Sequence, residues 1–589
     1  MAKVRKAVSG ASKKPRSVKQ QTPSSAARAK AFDALTSVFE ERAEHLSRDE
    51  LAQWTTYTQH DESIIDRLMG PGAKLISGPR GSGKSTLLRT AFFRLVQARD
   101  SLPIYVNYAK SLALEPLFHT QANALQLFRQ WLLMKIVLGA AEAFREMELP
   151  APEDLAKLSV RAAQLVSQLA TGNAPTELAA PLSPKELSER LESWMELKGL
   201  RRCVLLLDDA AHAFSPEQQR EFFEVFRELR SRRISPKAAV YPGITSYSPF
   251  FHVGHEAETI QAWYRPDEPG YLPAMRALVT RRLPAELASQ FTDRVELIDF
   301  LALACFGLPR GFLNMISEVL GVGEGETTKP TRQRAEAAVA AHADSVRGIF
   351  RALAAKLPRY RHFVDVGKEL EAGMVRTLKE YNRLQVDAGA KASVVALEEP
   401  ISAEVERMLN MLEYAGVVRK VGTVSRGVKG RFQRYTVHHS IVASENALSL
   451  GRSYTLAAVI DALRARTSHA FTRTKESSLL SRGWEKRCTL ALPPCAKCST
   501  PRMAEEQHFC MKCGAPLTDV SIYEDLLRTP ISLLPLTQRK IDGILNSTKI
   551  RTVHDLLLDD ERQEVRKVRG VGPFWAKQIR TIAEEFVSV

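Results

Sequence analysis

The hydrophobic positions between residues 50 and 285 fall into two alternating patterns. Four short apolar runs are continuous rather than alternating in polarity, as expected for central strands that helices cover on both faces. These runs span residues 73–77, 104–108, 203–207 and 238–244. Apolar residues at helical spacing fill the stretches between them. The pattern predicts a multidomain α/β protein whose core is a parallel sheet with crossover helices.

A different pattern follows the predicted sheet. Residues 286–340 are predicted to be helical, and further on a helical stripe of apolar residues begins after the capping residue Ser402. The stripe consists of Val405, Met408, Leu409 and Leu412. Two predicted strands, 417–421 and 431–437, then enclose a basic, glycine-containing tip. A helix followed by such a hairpin is typical of a winged helix.

A glycine-rich loop follows the first apolar run and precedes a predicted helix. Its sequence is Gly78-Pro79-Arg80-Gly81-Ser82-Gly83-Lys84-Ser85-Thr86, which fits the pattern G-x-x-x-x-G-K-[ST]. Glycines let the backbone wrap around phosphates, and N–H groups at a helix N-terminus bind them. Lys84 is expected to reach the β- and γ-phosphates, and the Ser85 hydroxyl to coordinate Mg²⁺. The loop by itself predicts a site for a nucleoside triphosphate, and ATP follows from the resemblance given below.

Two adjacent carboxylates end the third apolar run. Because Mg²⁺ needs a carboxylate near the γ-phosphate, Asp208 is predicted to join the metal shell. Asp209 is predicted to orient or deprotonate the attacking water. Ordinary loop residues at a strand end are the alternative interpretation. The order of loop and acids favours the catalytic one.

These motifs and two later positions resemble AAA+ ATPases. Thr245, at the end of the fourth apolar run, is similar to the sensor 1 residue. Arg310, in the sequence Gly-Leu-Pro-Arg before an amphipathic helix, is similar to the sensor 2 arginine of a helical lid. A strand cap for Thr245 and a surface position for Arg310 are the alternatives. With a winged helix after the lid, residues 50–450 resemble initiator ATPases of the origin-recognition type and related signalling NTPases.

The resemblance carries two further implications. Its fast-hydrolysing members usually have glutamate where this chain has Asp209, so the shorter side chain predicts slow ATP hydrolysis and a switch rather than a motor. Assembly into a homo-oligomer through an arginine finger is also implied. The candidates for that finger are Arg265, Arg276, Arg281 and Arg282.

Four of the seven cysteines lie within nineteen residues. Cys495, Cys498, Cys510 and Cys513 form two C-x-x-C pairs, a spacing that predicts a structural zinc ribbon with no open coordination position. Two disulfides are the alternative, which a reducing compartment disfavours. His508 is a spare ligand candidate, and a surface residue is the better interpretation of it.

Residues 532–587 resemble the C-terminal domain of the bacterial RNA polymerase α subunit, a small fold that contains a helix–hairpin–helix. The hairpin sequence Val-Arg-Gly-Val-Gly-Pro at 568–573 carries the resemblance. DNA backbone contacts are expected from the hairpin and its flanks, with further contacts from the basic wing. The proposed residues are Lys567, Arg569, Gly570, Gly572, Lys577, Arg426 and Lys429. A protein-binding module that kept this fold is the alternative.

The net charge of the chain indicates what kind of partner it binds. The 589 residues carry a formal net charge of +16, and residues 1–32 contain basic but no acidic residues. Such a surplus favours a polyanionic partner over an indifferent basic surface, with nucleic acid first and an acidic membrane second. No run of 18 apolar residues occurs, which argues against a membrane span. The predicted partner is therefore double-stranded DNA, and the predicted location is the bacterial cytoplasm or nucleoid.

Seven segments follow from these patterns. They are a disordered basic tail (1–32), a P-loop ATPase core (33–285), a helical lid (286–340), a winged-helix domain (341–450), a helical linker (451–490), a zinc ribbon (491–518) and an all-α helix–hairpin–helix domain (519–589). The preferred function is an ATP-dependent, DNA-binding switch or assembly platform. The alternatives are a signalling or antiviral-defence NTPase that recruits a separate effector protein, and a regulator that docks on transcription machinery.

Overall fold

The structure is a computed structural model. It describes residue 39 and residues 46–587, apart from 110–113, 122, 171–174, 176–177, 179, 210–214, 323–327, 426, 428–429, 452, 465–470, 505–506 and 518–520. The predicted basic tail lies outside the described residues.

A five-stranded parallel sheet forms the core of the N-terminal half. Its strands are β1 (Lys74–Ser77), β2 (Ser101–Asn107), β3 (Arg202–Asp208), β4 (Ile234–Val240) and β5 (Glu258–Gln261). The spatial order is β2-β3-β4-β1-β5, and every pairing is parallel. The central strands β1, β3 and β4 are buried along most of their length because helices cover both faces, as the continuous runs predicted. β1 and β3 therefore end at the same edge, where the phosphate loop and the two acids begin.

Helices cover the two faces of the sheet. They span Arg48–Trp54, Gln59–Met69, Lys84–Ala98, Leu117–Thr120, Ala124–Glu146, Glu153–Ala170, Pro184–Leu197 and Pro216–Leu229. Residues 150–184 contribute the helix Glu153–Ala170. That helix packs against Ala124–Glu146 and buries Leu155, Ala162, Leu165 and Leu169.

The fourth predicted strand, 238–244, is wrong in its position. β4 spans Ile234–Val240, and its first half contains Ser235 and Lys237, whose polarity hid the strand. The Lys237 ammonium is buried and donates to the carbonyl oxygens of Gly70, at 2.8 Å, and Gly72. Burial lowers the pKa of Lys237 to about 7. Backbone acceptors thus let a lysine occupy a central strand.

A second group of helices follows the core. It spans Tyr271–Arg282, Ala285–Ala288, Val295–Ala304, Pro309–Val319, Arg332–Lys356 and Arg361–Arg383. The helix Pro309–Val319, called the lid helix below, carries Arg310 in its first turn. The boundary predicted between residues 340 and 341 falls inside the single helix Arg332–Lys356.

A four-stranded sheet contains the predicted basic hairpin. Its strands are β6 (Val394–Glu398), β7 (Val418–Ser425), β8 (Arg431–Val437) and β9 (Thr472–Thr474), in the order β7-β8-β6-β9. The helix Ala403–Tyr414 precedes the hairpin and starts at its cap Ser402. Because β9 pairs with β6, residues 451–490 are not only a helical linker. Short helices at His439–Ser444, Leu456–Leu463 and Glu476–Leu479 complete this region.

The C-terminal helices have a hydrophobic cluster of their own. They span Ile522–Arg528, Gln538–Ser547, Val553–Leu558 and Pro573–Val587. Residues 522–587 are called the C-terminal module below. The helix Gln538–Ser547 lies close to the start of the hairpin, since a Cβ at Gly543 would lie 2.6 Å from a Val568 methyl. In the described part of the chain, none of the helices is both long and apolar enough to cross a membrane.

Candidate nucleotide site

The loop between β1 and the helix Lys84–Ala98 has a tightly curved backbone that depends on its glycines. Gly81 and Gly83 adopt φ angles of +80° and +89°, which a residue with a Cβ adopts only under strain. The Lys84 ammonium lies inside the loop and donates to the carbonyl oxygens of Gly78 at 2.7 Å and Pro79 at 3.1 Å. The loop therefore places a cation at the N-terminus of the helix Lys84–Ala98, and cations and helix N-termini both attract phosphates.

Burial dominates the electrostatics of Lys84. It lowers the pKa of Lys84 to about 7, although the carboxylates of Asp209 and Asp208 oppose the shift. Arg310 and Arg80 lower that pKa further, because they add positive charge nearby. The resulting concentration of cations favours a bound polyanion.

Asp208 and Asp209 lie at the carboxyl end of β3. Asp208 is buried and accepts hydrogen bonds from the Tyr105 hydroxyl, at 2.9 Å, and from Ser85. Burial and the neighbouring Asp209 charge raise the pKa of Asp208 to about 7. Its contact with Ser85 brings together the hydroxyl and the carboxylate that the sequence assigned to Mg²⁺. Two hard oxygen ligands of this kind fit that ion.

Tyr241 is a site residue that the sequence analysis missed. Its hydroxyl donates to Asp209 Oδ1 at 3.1 Å, and its ring centroid lies 4.0 Å from Lys84 Nζ. Burial raises its pKa well above the usual value, so the phenol keeps its proton. The signal that could have found it is its place directly after β4, which the misplaced strand concealed.

Thr245 lies one turn beyond Tyr241 and contacts backbone. Its hydroxyl donates to the Tyr241 carbonyl at 2.8 Å and accepts from the Tyr241 N–H at 3.2 Å. These bonds have the geometry of the strand cap that was the alternative for Thr245. The phenol of Tyr241, and not the Thr245 hydroxyl, contacts Asp209 in this structure.

Arg310 packs directly on the phosphate loop. A Cβ on Gly81 would lie 3.1 Å from the Arg310 Cβ, so the lid helix and the loop are in close contact. The Arg310 guanidinium lies 3.3 Å from Glu585 of the C-terminal module, and Arg80 lies 3.1 Å from the same carboxylate. The surface position that was the alternative for Arg310 does not fit these contacts.

The candidates for an arginine finger have contacts within their own chain. Arg265 pairs with Asp267 at 2.8 Å, and Arg276 makes a two-pronged pair with Asp299. Arg281 donates to the Thr55 carbonyl at 3.2 Å, and Arg282 lies over the Trp54 ring. Arg265 and Arg276 keep about half of their side-chain surface exposed, at 54% and 45%. These contacts do not single out one finger.

The four cysteines of the two C-x-x-C pairs lie together as free thiols. Their sulfur atoms are all within 4.8 Å of one another, and the distances Cys495–Cys513 and Cys498–Cys510 are both 3.5 Å. Tetrahedral zinc with Zn–S bonds of about 2.3 Å needs sulfurs about 3.8 Å apart. The donor set and its spacing therefore fit a zinc ion. His508 is exposed and is not part of this cluster.

The structure describes some of the residues that are predicted to contact DNA. Arg569 and Gly570 are exposed at the hairpin before the helix Pro573–Val587, and Gly570 has a φ of +83°. Lys577 is exposed, Gly572 is half-buried, and Lys567 pairs with Glu564. Arg426 and Lys429 lie outside the described residues.

The root of the basic hairpin faces the ATPase core. Arg419 donates to the carbonyl oxygens of Tyr264 at 2.6 Å and Trp263 at 2.9 Å, and it lies over the Trp263 ring. Burial lowers the pKa of Arg419 to about 10. This arginine is therefore used for packing between domains.

Comparisons with known proteins find a matching family and similar solved structures. Residues 62–236 match the family described as AAA ATPase domain. Among solved structures, Cdc6p from Pyrobaculum aerophilum is similar at 13% identity and a TM-score of 0.28, covering 70% of this chain and 97% of that one. The Orc1 protein of Aeropyrum pernix in complex with DNA is similar at 17% identity and a TM-score of 0.26, covering 70% and 96%. A search of curated proteins found no match.

The residues that match the family include most of the elements that form the candidate nucleotide site. The matched residues contain the strands β1, β2 and β3 of the parallel sheet, together with the phosphate loop and both aspartates. Arg310, Tyr241 and the C-terminal module lie beyond the match. Residues 62–236 of this chain are therefore similar in sequence to AAA ATPase domains.

Proposed function

We propose that this protein binds and slowly hydrolyses ATP, and that the bound nucleotide controls its binding to double-stranded DNA. The observation that carries the proposal is the juxtaposition of Lys84 in the loop with Asp208 and Asp209 at the end of β3. A buried cation beside two carboxylates is the arrangement needed to hold Mg²⁺ and a triphosphate together.

Each group has a role in the proposed reaction. Lys84 binds the β- and γ-phosphates, while Ser85 and Asp208 supply oxygen ligands to Mg²⁺. Asp209 accepts a proton from the attacking water or orients it. Mg²⁺ neutralises charge on the phosphates when it is bound. Gly78, Pro79, Arg80, Gly81, Ser82, Gly83 and Thr86 form the rest of the phosphate loop.

Two features of Asp209 support slow turnover. Its backbone has a φ of +51°, a left-handed conformation that costs energy for a residue with a side chain. Its side chain is also one methylene shorter than that of glutamate, so its carboxylate reaches less far toward the water. A short acid on a constrained backbone aligns water less well than a longer one. A nucleotide-dependent switch, rather than a motor, is the role that suits such a site.

The hairpin of the C-terminal module is the proposed DNA contact. Arg569 and Lys577 are exposed there, and Gly570 at the turn is exposed as well. Contacts of this kind are to phosphates, so binding should have little sequence preference and fall steeply with salt. Zinc held by the four cysteines would be structural.

ATP turnover measured with and without duplex DNA tests the proposal. The full chain is compared with a Gly570→Glu/Gly572→Glu variant, which places negative charge at the hairpin, and with Lys84→Ala, which removes the phosphate ligand. We expect Lys84→Ala to lose ATP binding, and the double variant to lose DNA binding while retaining ATP binding. Wild-type protein that binds ATP but is indifferent to DNA at low salt would contradict the DNA part alone.

A second candidate function is a signalling or defence NTPase whose C-terminal modules recruit an effector protein. The observation that favours it is a set of exposed apolar side chains on the four-cysteine segment. Met503, Phe509 and Met511 are 78%, 65% and 83% exposed. Large apolar residues at a surface often mark contacts with other proteins. Association of the full chain with a protein partner through these residues, without DNA, would favour this function.

A further inference from the structure

One carboxylate from the C-terminus of the chain bridges two arginines at the nucleotide site. The two Glu585 oxygens lie 3.1 Å from Arg80 of the phosphate loop and 3.3 Å from Arg310 of the lid helix. All three side chains are largely buried, with 16%, 27% and 17% of their surfaces exposed for Arg80, Arg310 and Glu585. The C-terminal module therefore reaches the phosphate loop itself.

Further contacts hold the module in this place. Phe574, on the same helix as Glu585, packs edge-on against Phe39 and belongs to the main hydrophobic core. Lys540 lies 3.4 Å from Glu318 of the lid helix and 2.9 Å from the centroid of the Trp575 ring. The pair of arginines is thus part of a docking surface between the lid and the module.

A second anchor joins the start of the module to the ATPase core. Glu115 accepts a hydrogen bond from the Ser521 hydroxyl at 2.8 Å and from the backbone N–H groups of Ile522 and Tyr523. A carboxylate at a helix N-terminus is stabilised by the helix dipole. This anchor does not involve the phosphate loop, so it can persist when the Glu585 contact is broken.

The two arginines have the chemistry to bind a phosphate instead of Glu585. Guanidinium groups bind carboxylates and phosphates with the same fork-shaped set of donors. Arg80 is within the phosphate loop, and Arg310 is packed on Gly81. If a phosphate draws the arginines away, the largely buried Glu585 loses two of its positively charged partners, which destabilises the docked state.

We propose that Glu585 occupies Arg80 and Arg310 as an internal competitor of the ATP phosphates, and that ATP binding releases this end of the C-terminal module from the lid. The inference rests on the proposed nucleotide site and adds a regulation to it. Because the helix with Glu585 starts directly after the hairpin assigned to DNA, release changes how that hairpin is presented.

The coupling between ATP binding and docking of the C-terminal module is reciprocal, so its size can be measured from the change in either equilibrium. Typical couplings change an affinity about 5- to 150-fold. If docking opposes ATP, removing the Glu585 charge must tighten ATP binding by a factor in that range. ATP must in turn weaken docking by the same factor.

The first test compares ATP affinities of full-length variants by calorimetry. Glu585→Gln keeps the shape of the side chain and removes its charge, and we expect it to bind ATP about tenfold more tightly than wild type. Glu584→Gln is the matched control, because Glu584 is the adjacent acid and pairs with Arg580 of its own helix at 3.0 Å. Equal affinities for wild type and Glu585→Gln would overturn the inference.

A second test needs no change at Glu585. Hydrogen exchange in peptides from 573–587 is measured for the wild-type chain with and without Mg·ATP, and for Lys84→Ala as a protein unable to respond. Faster exchange on adding ATP, in wild type alone, is expected. If wild type binds ATP and these peptides do not change, the inference fails while the nucleotide site stands. If wild type does not bind ATP, the proposed function itself fails.

Discussion

The hydroxyl of Tyr241 donates a hydrogen bond of 3.1 Å to the carboxylate of Asp209. The same side chain covers Lys84, so one aromatic residue contacts both the phosphate-binding cation and the proposed catalytic acid. Tyr241 follows β4 directly, and a residue there stands between the acids and the phosphate loop. It is a positioning residue that acts through Asp209.

Replacing Tyr241 by phenylalanine tests this role. The ring over Lys84 remains, so ATP affinity should change little, whereas Asp209 loses its orienting donor. We expect the turnover number to fall about tenfold or more, since small misplacements of a reacting group are costly. Steady-state ATPase assays that separate kcat from KM provide the measurement.

Thr245→Val is the matched variant for that experiment. The Thr245 hydroxyl contacts only the backbone of Tyr241 among the bonds described, so turnover should remain close to wild type. A loss of turnover for Thr245→Val as large as that for Tyr241→Phe would restore Thr245 as the sensor residue.

Lengthening the second acid tests why turnover is slow. In Asp209→Glu the carboxylate reaches one methylene further toward the water, and we expect turnover to rise several-fold. The variant should also lose about 1 kcal/mol of stability, because glutamate tolerates the left-handed backbone at this position less well than aspartate. Thermal unfolding and ATPase assays on the same preparation measure both effects. Slower turnover would show that the length of Asp209 does not limit the rate.

The pH dependence of Mg·ATP binding follows from two shifted groups. Lys84, with a pKa lowered to about 7 by burial, loses its charge as pH rises above 7. Asp208, with a pKa raised to about 7 by burial and by Asp209, gains a proton as pH falls below 7. Phosphate binding needs the charged lysine and Mg²⁺ binding needs the charged carboxylate. We therefore expect affinity to be highest near pH 7 and to fall on both sides.

Calorimetric titrations of Mg·ATP into the protein check this expectation. Repeating them in buffers of different ionisation enthalpy gives the number of protons that are taken up or released on binding. Binding above pH 7 should take up a proton at Lys84, and binding below pH 7 should release one from Asp208. Asp208→Asn should abolish the acidic limb and leave the alkaline one. An affinity that is flat between pH 6 and 8 would contradict the prediction.

Zinc content tests the four-cysteine cluster. Mass spectrometry of the purified chain should find about one zinc per protein, and Cys495→Ser/Cys513→Ser should remove it. The isolated cysteine Cys488 provides the control, because Cys488→Ser lies outside the cluster and should leave the metal in place. Wild-type protein without zinc, or with disulfides in its place, would disprove the assignment.

The sequence by itself determined the elements whose signals are local. The phosphate loop, the acids after β3 and the paired C-x-x-C motifs depend on spacing within short segments, and the continuous apolar runs identified three strands correctly. The fourth strand failed because its signal is not local. Lys237 is satisfied by carbonyl groups of residues 70 and 72, which only the folded chain brings near.

Only the tertiary structure decided which side chains meet. Tyr241 reaches Asp209 because β3 and β4 are neighbours in the sheet, and the sequence separation of 32 residues conceals that contact. Glu585 meets Arg310 across 275 residues, through packing between two separate hydrophobic clusters. Periodicity and motif spacing report on each segment alone, whereas the partner of a buried charge depends on how segments pack.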